Sequence, residues 1–322
     1  MRNSLFAFLL LVICSNSAIA QRRDSVVLKT ATGTIYGTLT IPVKPKSAVP
    51  VVIIIAGSGP TDRNGNSGIM TNNSLRILSD SLAKYGIASL RYDKRGIGSS
   101  KAAAPNESKL KFADYVKDVN SWIGKLGKDR RFSKIFVAGH AEGSLVGMLA
   151  ARQTPVAGFI SLAGAGRPAD EMVLDQLRAG QMSKPMLDSA IDFFTQLKTN
   201  GRIKQVPAGF FQSLFRPSVQ SYVLSWIRFN PATELAGLTA PALIIQGNTD
   251  LQVDTLQAQL LVSAKPDAQL LIIPNMNHVF RDVPADDRGL NIATYYDPAL
   301  PIKSELVQGL VRFIKENSQP KN

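Results

Sequence analysis

Residues 139–143 read Gly139-His140-Ala141-Glu142-Gly143, between an apolar stretch and a small-residue helical stretch. This is the layout of a G-x-S-x-G elbow, in which a sharp strand-to-helix turn lifts a serine hydroxyl above a sheet. The central residue here is Ala141, which has no hydroxyl. Two further residues suit the rest of a nucleophile–acid–base set. Asp250 follows the apolar run 242–247 and His278 follows the apolar run 268–274. The chain has two histidines, His140 and His278, so a general base outside the elbow is His278. A carboxylate beside it would hold the imidazole tautomer and stabilise the imidazolium. Asp250 fits that role; Asp254 fits less well because it falls at the start of the next helical stretch. His140 sits inside the elbow and is assigned to packing.

A fourth part of such chemistry is a set of donors for a developing oxyanion. The apolar run 51–56 leads into Gly57-Ser58-Gly59-Pro60-Thr61-Asp62-Arg63-Asn64-Gly65, a loop able to turn backbone N–H groups toward that charge. The amides of Ser58 and Glu142 are the expected donors, Glu142 following the nucleophile position. A phosphate cradle is disfavoured because the loop lacks the G-K-[ST] ending of a P-loop. A second glycine-bearing turn, Arg91 to Gly98, lacks the third glycine of a dinucleotide fingerprint, and an Asp93–Arg95 polar brace is expected there.

These groups need a scaffold that brings them to one edge. Residues 25–41 alternate and break at Thr32-Gly33, as a β-hairpin does. Then come mainly apolar runs at 51–56, 87–92, 134–139, 157–164, 242–247 and 268–274. Helical patterns separate them at 74–85, 110–126, 142–152 and 254–264, and a last one follows at 304–317. Continuous apolar strands alternating with helices predict a mostly parallel sheet of about eight strands, with helices on both faces. Loops at the carboxyl ends of such strands are where open α/β sheets carry their chemistry. Between Gly166 and Ala240 the pattern is helical without a convincing strand, which predicts a helical cap (167–240) inserted after the sixth strand. The core is then 21–166 and 241–322.

Composition narrows the classes. Residues 1–20, MRNSLFAFLLLVICSNSAIA, have a basic start, a short apolar run and an A-x-A ending, so they read as a cleaved signal peptide. The run is too short to span a bilayer, and a secreted or periplasmic location is expected. Cys14 is the only cysteine and lies within that segment, so disulfides, thiol catalysis and cysteine metal sites are excluded from the rest. With two histidines, no metal is expected either. The formal charge of +13 is scattered, with no basic run interleaved with aromatics, so nucleic acid is not an expected partner. Nothing in the pattern specifies an oligomeric state.

Taken together, IAGSGPTDRNG, RYDKRGIGSS, GHAEG, GNTD and NMNH resemble the α/β-hydrolase superfamily, within it secreted bacterial carboxylesterases of the serine-hydrolase type. These motifs span residues 55–278, in the order nucleophile, acid, histidine. The resemblance implies the α/β-hydrolase fold, a small-molecule ester substrate, an acyl-enzyme mechanism and no cofactor. The departure is Ala141 where the family has serine. Two accounts stand: a working hydrolase site with its nucleophile removed, or a non-catalytic ligand-binding protein. The retained glycines, Asp250 and His278 favour the first. Within the cap, Phe210 and Phe211 are candidates for an acyl pocket, predicting short or medium uncharged acyl esters. An aminopeptidase or amidase of the same fold is the competing enzyme reading. It calls for a charged anchor, for which Glu171, Asp175 and Arg178 are available.

Overall fold

A computed structural model describes residues 21–43 and 45–319. The proposed signal peptide lies outside the described residues. Eight strands form one sheet in the order β1-β2-β4-β3-β5-β6-β7-β8. They are β1 (Arg22–Thr30), β2 (Gly33–Ile41), β3 (Val49–Ile55), β4 (Ala88–Tyr92), β5 (Phe132–His140), β6 (Gly158–Leu162), β7 (Ala242–Gly247) and β8 (Gln269–Ile273). β1 and β2 form the expected hairpin, and β2 runs antiparallel to β4. All other neighbours are parallel. The hairpin turns at Ala31-Thr32, one residue before the expected break.

The parallel strands are mainly apolar because both of their faces are covered, with Ser89 and Arg91 on β4, Ser161 on β6 and Gln246 on β7 as buried polar exceptions. Along β3, Val51, Ile53 and Ile55 enter one core while Val52 and Ile54 enter the other, all at most 1% exposed. Successive strand side chains point to opposite faces, so one strand feeds two layers. The first layer is closed by α2 (Phe112–Gly127), α3 (Glu142–Gln153) and α9 (Thr255–Ala264); the second by α1 (Ser74–Lys84) and α11 (Ser304–Glu316). On α11, Leu306, Leu310, Phe313 and Ile314 recur at helical spacing and are buried, each contributing about 1.5–3 kcal/mol on burial.

After β6 the chain runs through α4 (Ala169–Ala179), α5 (Lys184–Asn200), α6 (Gln212–Phe215), α7 (Gln220–Trp226) and α8 (Pro231–Ala236) before returning at β7. Helices α4 to α7 build a separate apolar cluster around Phe193, Phe194, Leu197, Phe215 and Val223. Leu235 on α8 and Leu238 just after it belong instead to the core under the sheet.

Sheet register sets the edge where chemistry can occur. Ile55 pairs with Gly139, His140 with Leu162 and Gly247 with Ile273. The loops leaving β3, β5, β7 and β8 therefore emerge at one level.

Candidate active site

The elbow is built as its sequence requires. β5 ends at His140, α3 begins at Glu142, and Ala141 between them has φ 50° and ψ −117°. That conformation costs a non-glycine residue about 1–3 kcal/mol and persists because its surroundings over-determine it. The Ala141 amide donates to Leu162 O (2.9 Å). The flanking glycines are obligatory. A Cβ on Gly139 would lie 2.0 Å from Gly143 O, and one on Gly143 would lie 2.5 Å from Ile55 O.

The structure brings Asp250 and His278 together. His278 Nδ1 donates to Asp250 Oδ2 at 2.8 Å, both side chains being almost wholly buried. Asp250 Oδ1 accepts the amides of Gln252 (2.8 Å) and Val253 (3.0 Å), and Oδ2 also accepts from Gln246 Nε2 (3.1 Å). Burial alone would raise the Asp250 carboxyl, but the His278 charge and these hydrogen bonds outweigh it and hold the carboxyl below its usual value. Asp254 serves elsewhere, as the N-cap of α9, accepting from Gln257 N.

Sequence reasoning missed what holds His278. Asn277 Oδ1 accepts the amides of Val279 and Arg281, while Asn277 Nδ2 donates to Asn291 Oδ1 (3.1 Å) and Thr294 Oγ1 (2.8 Å). Asn291 Nδ2 in turn donates to Thr249 O (2.7 Å), tying the loops of Asp250 and His278 together. His140 packs as expected, and does so directly on His278. The two imidazole centroids are 4.5 Å apart, and His140 Nε2 donates to His278 O at 3.0 Å. A carbonyl only accepts, so the neutral His140 carries its proton on Nε2. Burial, reinforced by the neighbouring His278, pushes His140 down to about 3.

Ser58 and Glu142 both line the same cavity as Ala141 and His278. Neither amide donates to a protein acceptor among the described residues. Beside them lies a feature that went unread. Lys94 Nζ donates to Gly57 O (2.5 Å) and to Glu142 Oε1 (2.8 Å), with both charged side chains at most 2% exposed. The only sequence signal was a dense run of charges directly after an apolar strand. The expected Asp93–Arg95 brace does not form. Asp93 accepts the amides of Arg63 and Ser99 and pairs with the Arg63 guanidinium, because the turn folds its carboxylate back over the β3 loop. Arg95 points to the opposite side and pairs with Asp118 on α2.

The cavity, about 640 Å³, lies between this edge and the inserted helices. Leu145, Met172, Leu214, Val223 and Trp226 supply much of its apolar wall. The expectation for Phe210 and Phe211 is corrected. Neither lines the cavity: Phe211 is buried against Phe193 and Phe215 in the cap's own core, and Phe210 is 54% exposed. An aromatic run on a short helical turn splits between core and solvent, and the wall fell to their neighbours Leu214 and Ser213. The suggested anchors Glu171, Asp175 and Arg178 do not line it either. Asp175 is taken up by Arg167 and Arg178.

A mostly parallel eight-stranded sheet, an elbow after its fifth strand, and an acid and a histidine on later strand ends define the α/β-hydrolase fold. Comparison with known proteins agrees. Residues 71–208 match the family model described as serine aminopeptidase, S33, a span that includes the elbow and ends before Asp250. Esterase EstD of Thermotoga maritima is 26% identical over 246 residues, covering 76% of this chain and 57% of that protein. The chain thus spans little more than half the length of that curated relative. Among solved structures, Est1E from Butyrivibrio proteoclasticus superposes with a TM-score of 0.60 at 18% identity, covering 91% of this chain and 98% of that one. A thermophilic esterase from Thermogutta terrifontis gives 0.55 at 15% identity, over 92% and 100%.

Proposed function

We propose that this is the site of a carboxylesterase acting on short or medium acyl esters, with its nucleophile position occupied by Ala141. The observation that carries the proposal is the 2.8 Å His278–Asp250 pair, whose histidine lines one cavity together with the strained elbow residue Ala141. With serine at 141, the hydroxyl oxygen attacks the ester carbonyl and His278 Nε2 takes its proton. The Ser58 and Glu142 amides stabilise the oxyanion, and the alcohol leaves with the proton from His278. Water, deprotonated by the same imidazole, then releases the acid. With Ala141 no acyl-enzyme forms, and the chain binds intact ester.

The apolar wall supports uncharged acyl groups. An aminopeptidase needs a free carboxylate for the substrate amine. Glu107 reaches the wall, but Arg216 and Ser218 already occupy it, which favours esters over aminoacyl amides. The signal-like residues 1–20 support a secreted or periplasmic location. A panel of chromogenic acyl esters and aminoacyl amides, run on Ala141→Ser, tests the proposal. Hydrolysis confined to esters is expected. Cleavage of aminoacyl amides alone would replace it with the peptidase reading, and binding without turnover of either class would leave a ligand-binding protein.

A further inference from the structure

We propose that Lys94 is the positioning residue of the oxyanion hole, holding both donor peptides at once; this rests on the hydrolase reading above. The sheet order places β4 beside β3 and β3 beside β5. Lys94, two residues past the end of β4, therefore reaches across the end of β3 to the start of α3. Its ammonium has three protons. One goes to Gly57 O, one to Glu142 Oε1, and the remaining direction meets the Tyr115 ring, whose centroid is 5.0 Å away.

The first contact orients a donor. Gly57 O and the Ser58 N–H belong to one peptide unit, and the chain has no cis peptide bonds among the described residues. In a trans unit the carbonyl and the N–H point in opposite directions. Fixing the carbonyl on Lys94 thus aims the Ser58 N–H the opposite way; Ser58 and Lys94 both line the cavity. A hydrogen bond on the carbonyl also polarises the unit and strengthens its N–H as a donor. The second contact anchors the other donor. The Glu142 N–H is the first of α3, and such N–H groups have no partner within their own helix. Its side chain is tied to the same ammonium, so the two peptides cannot drift apart independently. Because Glu142 balances the charge of Lys94, what acts on the hole is this geometry rather than a net positive field. With Lys94 1% exposed, water does not compete for either bond.

The test uses the full chain carrying Ala141→Ser, with Lys94→Met added. Lys94→Met together with Glu142→Gln is made in parallel, leaving no unpaired buried charge if the first variant folds poorly. Rates on a chromogenic butyrate ester are normalised to sites titrated with a fluorophosphonate. Inhibition by an alkyl trifluoromethyl ketone, whose tetrahedral adduct carries an oxyanion, is measured beside the melting temperature. Losing an oxyanion donor outright costs about 10²–10³ in kcat, so misaiming one should lower kcat by about 10–100-fold. KM should stay within about threefold, and the ketone should weaken by a factor similar to that in kcat. An unchanged kcat per titrated site and unchanged ketone inhibition, with only a lower melting temperature, would show a structural role and overturn the proposal. If Ala141→Ser alone neither labels nor hydrolyses any ester, the hydrolase reading falls and the positioning role with it.

Discussion

His140 Nε2 lies 3.0 Å from the main-chain oxygen of His278, and the two rings pack at 4.5 Å between centroids. The histidine inside the elbow therefore holds the loop that carries His278. The contact requires a proton on His140 Nε2, and burial keeps the ring from taking a second one.

The pH dependence of stability follows. His140 is pushed from its ordinary 6.5 to about 3 in the fold. A depressed folded pKa means that the unfolded chain binds the extra proton between these values. The stabilisation is complete above about pH 6.5 and is lost as pH falls toward 3, at up to ~1.4 kcal/mol per pH unit. Urea unfolding of the chain as it stands and of His140→Gln at pH 4, 5 and 7 checks this. The variant should lose about one proton's worth of slope; parallel curves would contradict it.

Asp250→Asn in the Ala141→Ser background should keep the loop's shape and lose about 10⁴ in kcat. An amide NH₂ facing Nδ1 forces the wrong imidazole tautomer, and no carboxylate remains to stabilise the imidazolium. Steady-state kinetics on a chromogenic ester reads the loss. A drop of less than tenfold would mean that Asp250 is not the acid partner.

Gly143→Ala should be poorly tolerated, because the new methyl would lie 2.5 Å from Ile55 O and 2.7 Å from Ala56 O. Backbone carbonyls of a central strand cannot step aside as a flexible side chain can. A loss on the order of 3 kcal/mol or more is expected, in the upper range for overpacking. Thermal unfolding monitored by circular dichroism measures it.

The cavity wall gives a paired prediction. Trp226→Ala enlarges the space between α7 and the site and should shift preference toward longer acyl chains. Phe210→Ala changes only an exposed ring and should leave the profile and stability within about 0.5 kcal/mol. Relative kcat/KM values for acetyl to octanoyl esters in the Ala141→Ser background distinguish the two.

Much of this was legible in the sequence, for physical reasons. Strands buried on both faces are mainly apolar, so β3 to β7 announced themselves, and strand ends in a parallel sheet converge. With two histidines in the chain, the position of His278 after β8 had little competition. What escaped depended on contacts far apart in sequence. Lys94 and Glu142 are separated by 48 residues, and neither residue type signals burial. The Asn277–Asn291–Thr294 network runs through a loop with no periodicity. Phe210 and Phe211 showed the opposite failure: an aromatic pair marks an apolar element but not which face meets a cavity.

The central claim is that everything for acyl transfer is in place except the hydroxyl at 141. The most direct measurement is hydrolysis of a chromogenic butyrate ester by the chain as it stands and by Ala141→Ser, with fluorophosphonate labelling of both. In comparable triads the serine contributes about 10⁶ in kcat, roughly 8 kcal/mol. The account predicts that Ala141→Ser gains several orders of magnitude in rate and takes up one label per chain at position 141, while the parent does neither. If Ala141→Ser remains unlabelled and no faster than the parent on any ester, the site is not a disabled hydrolase.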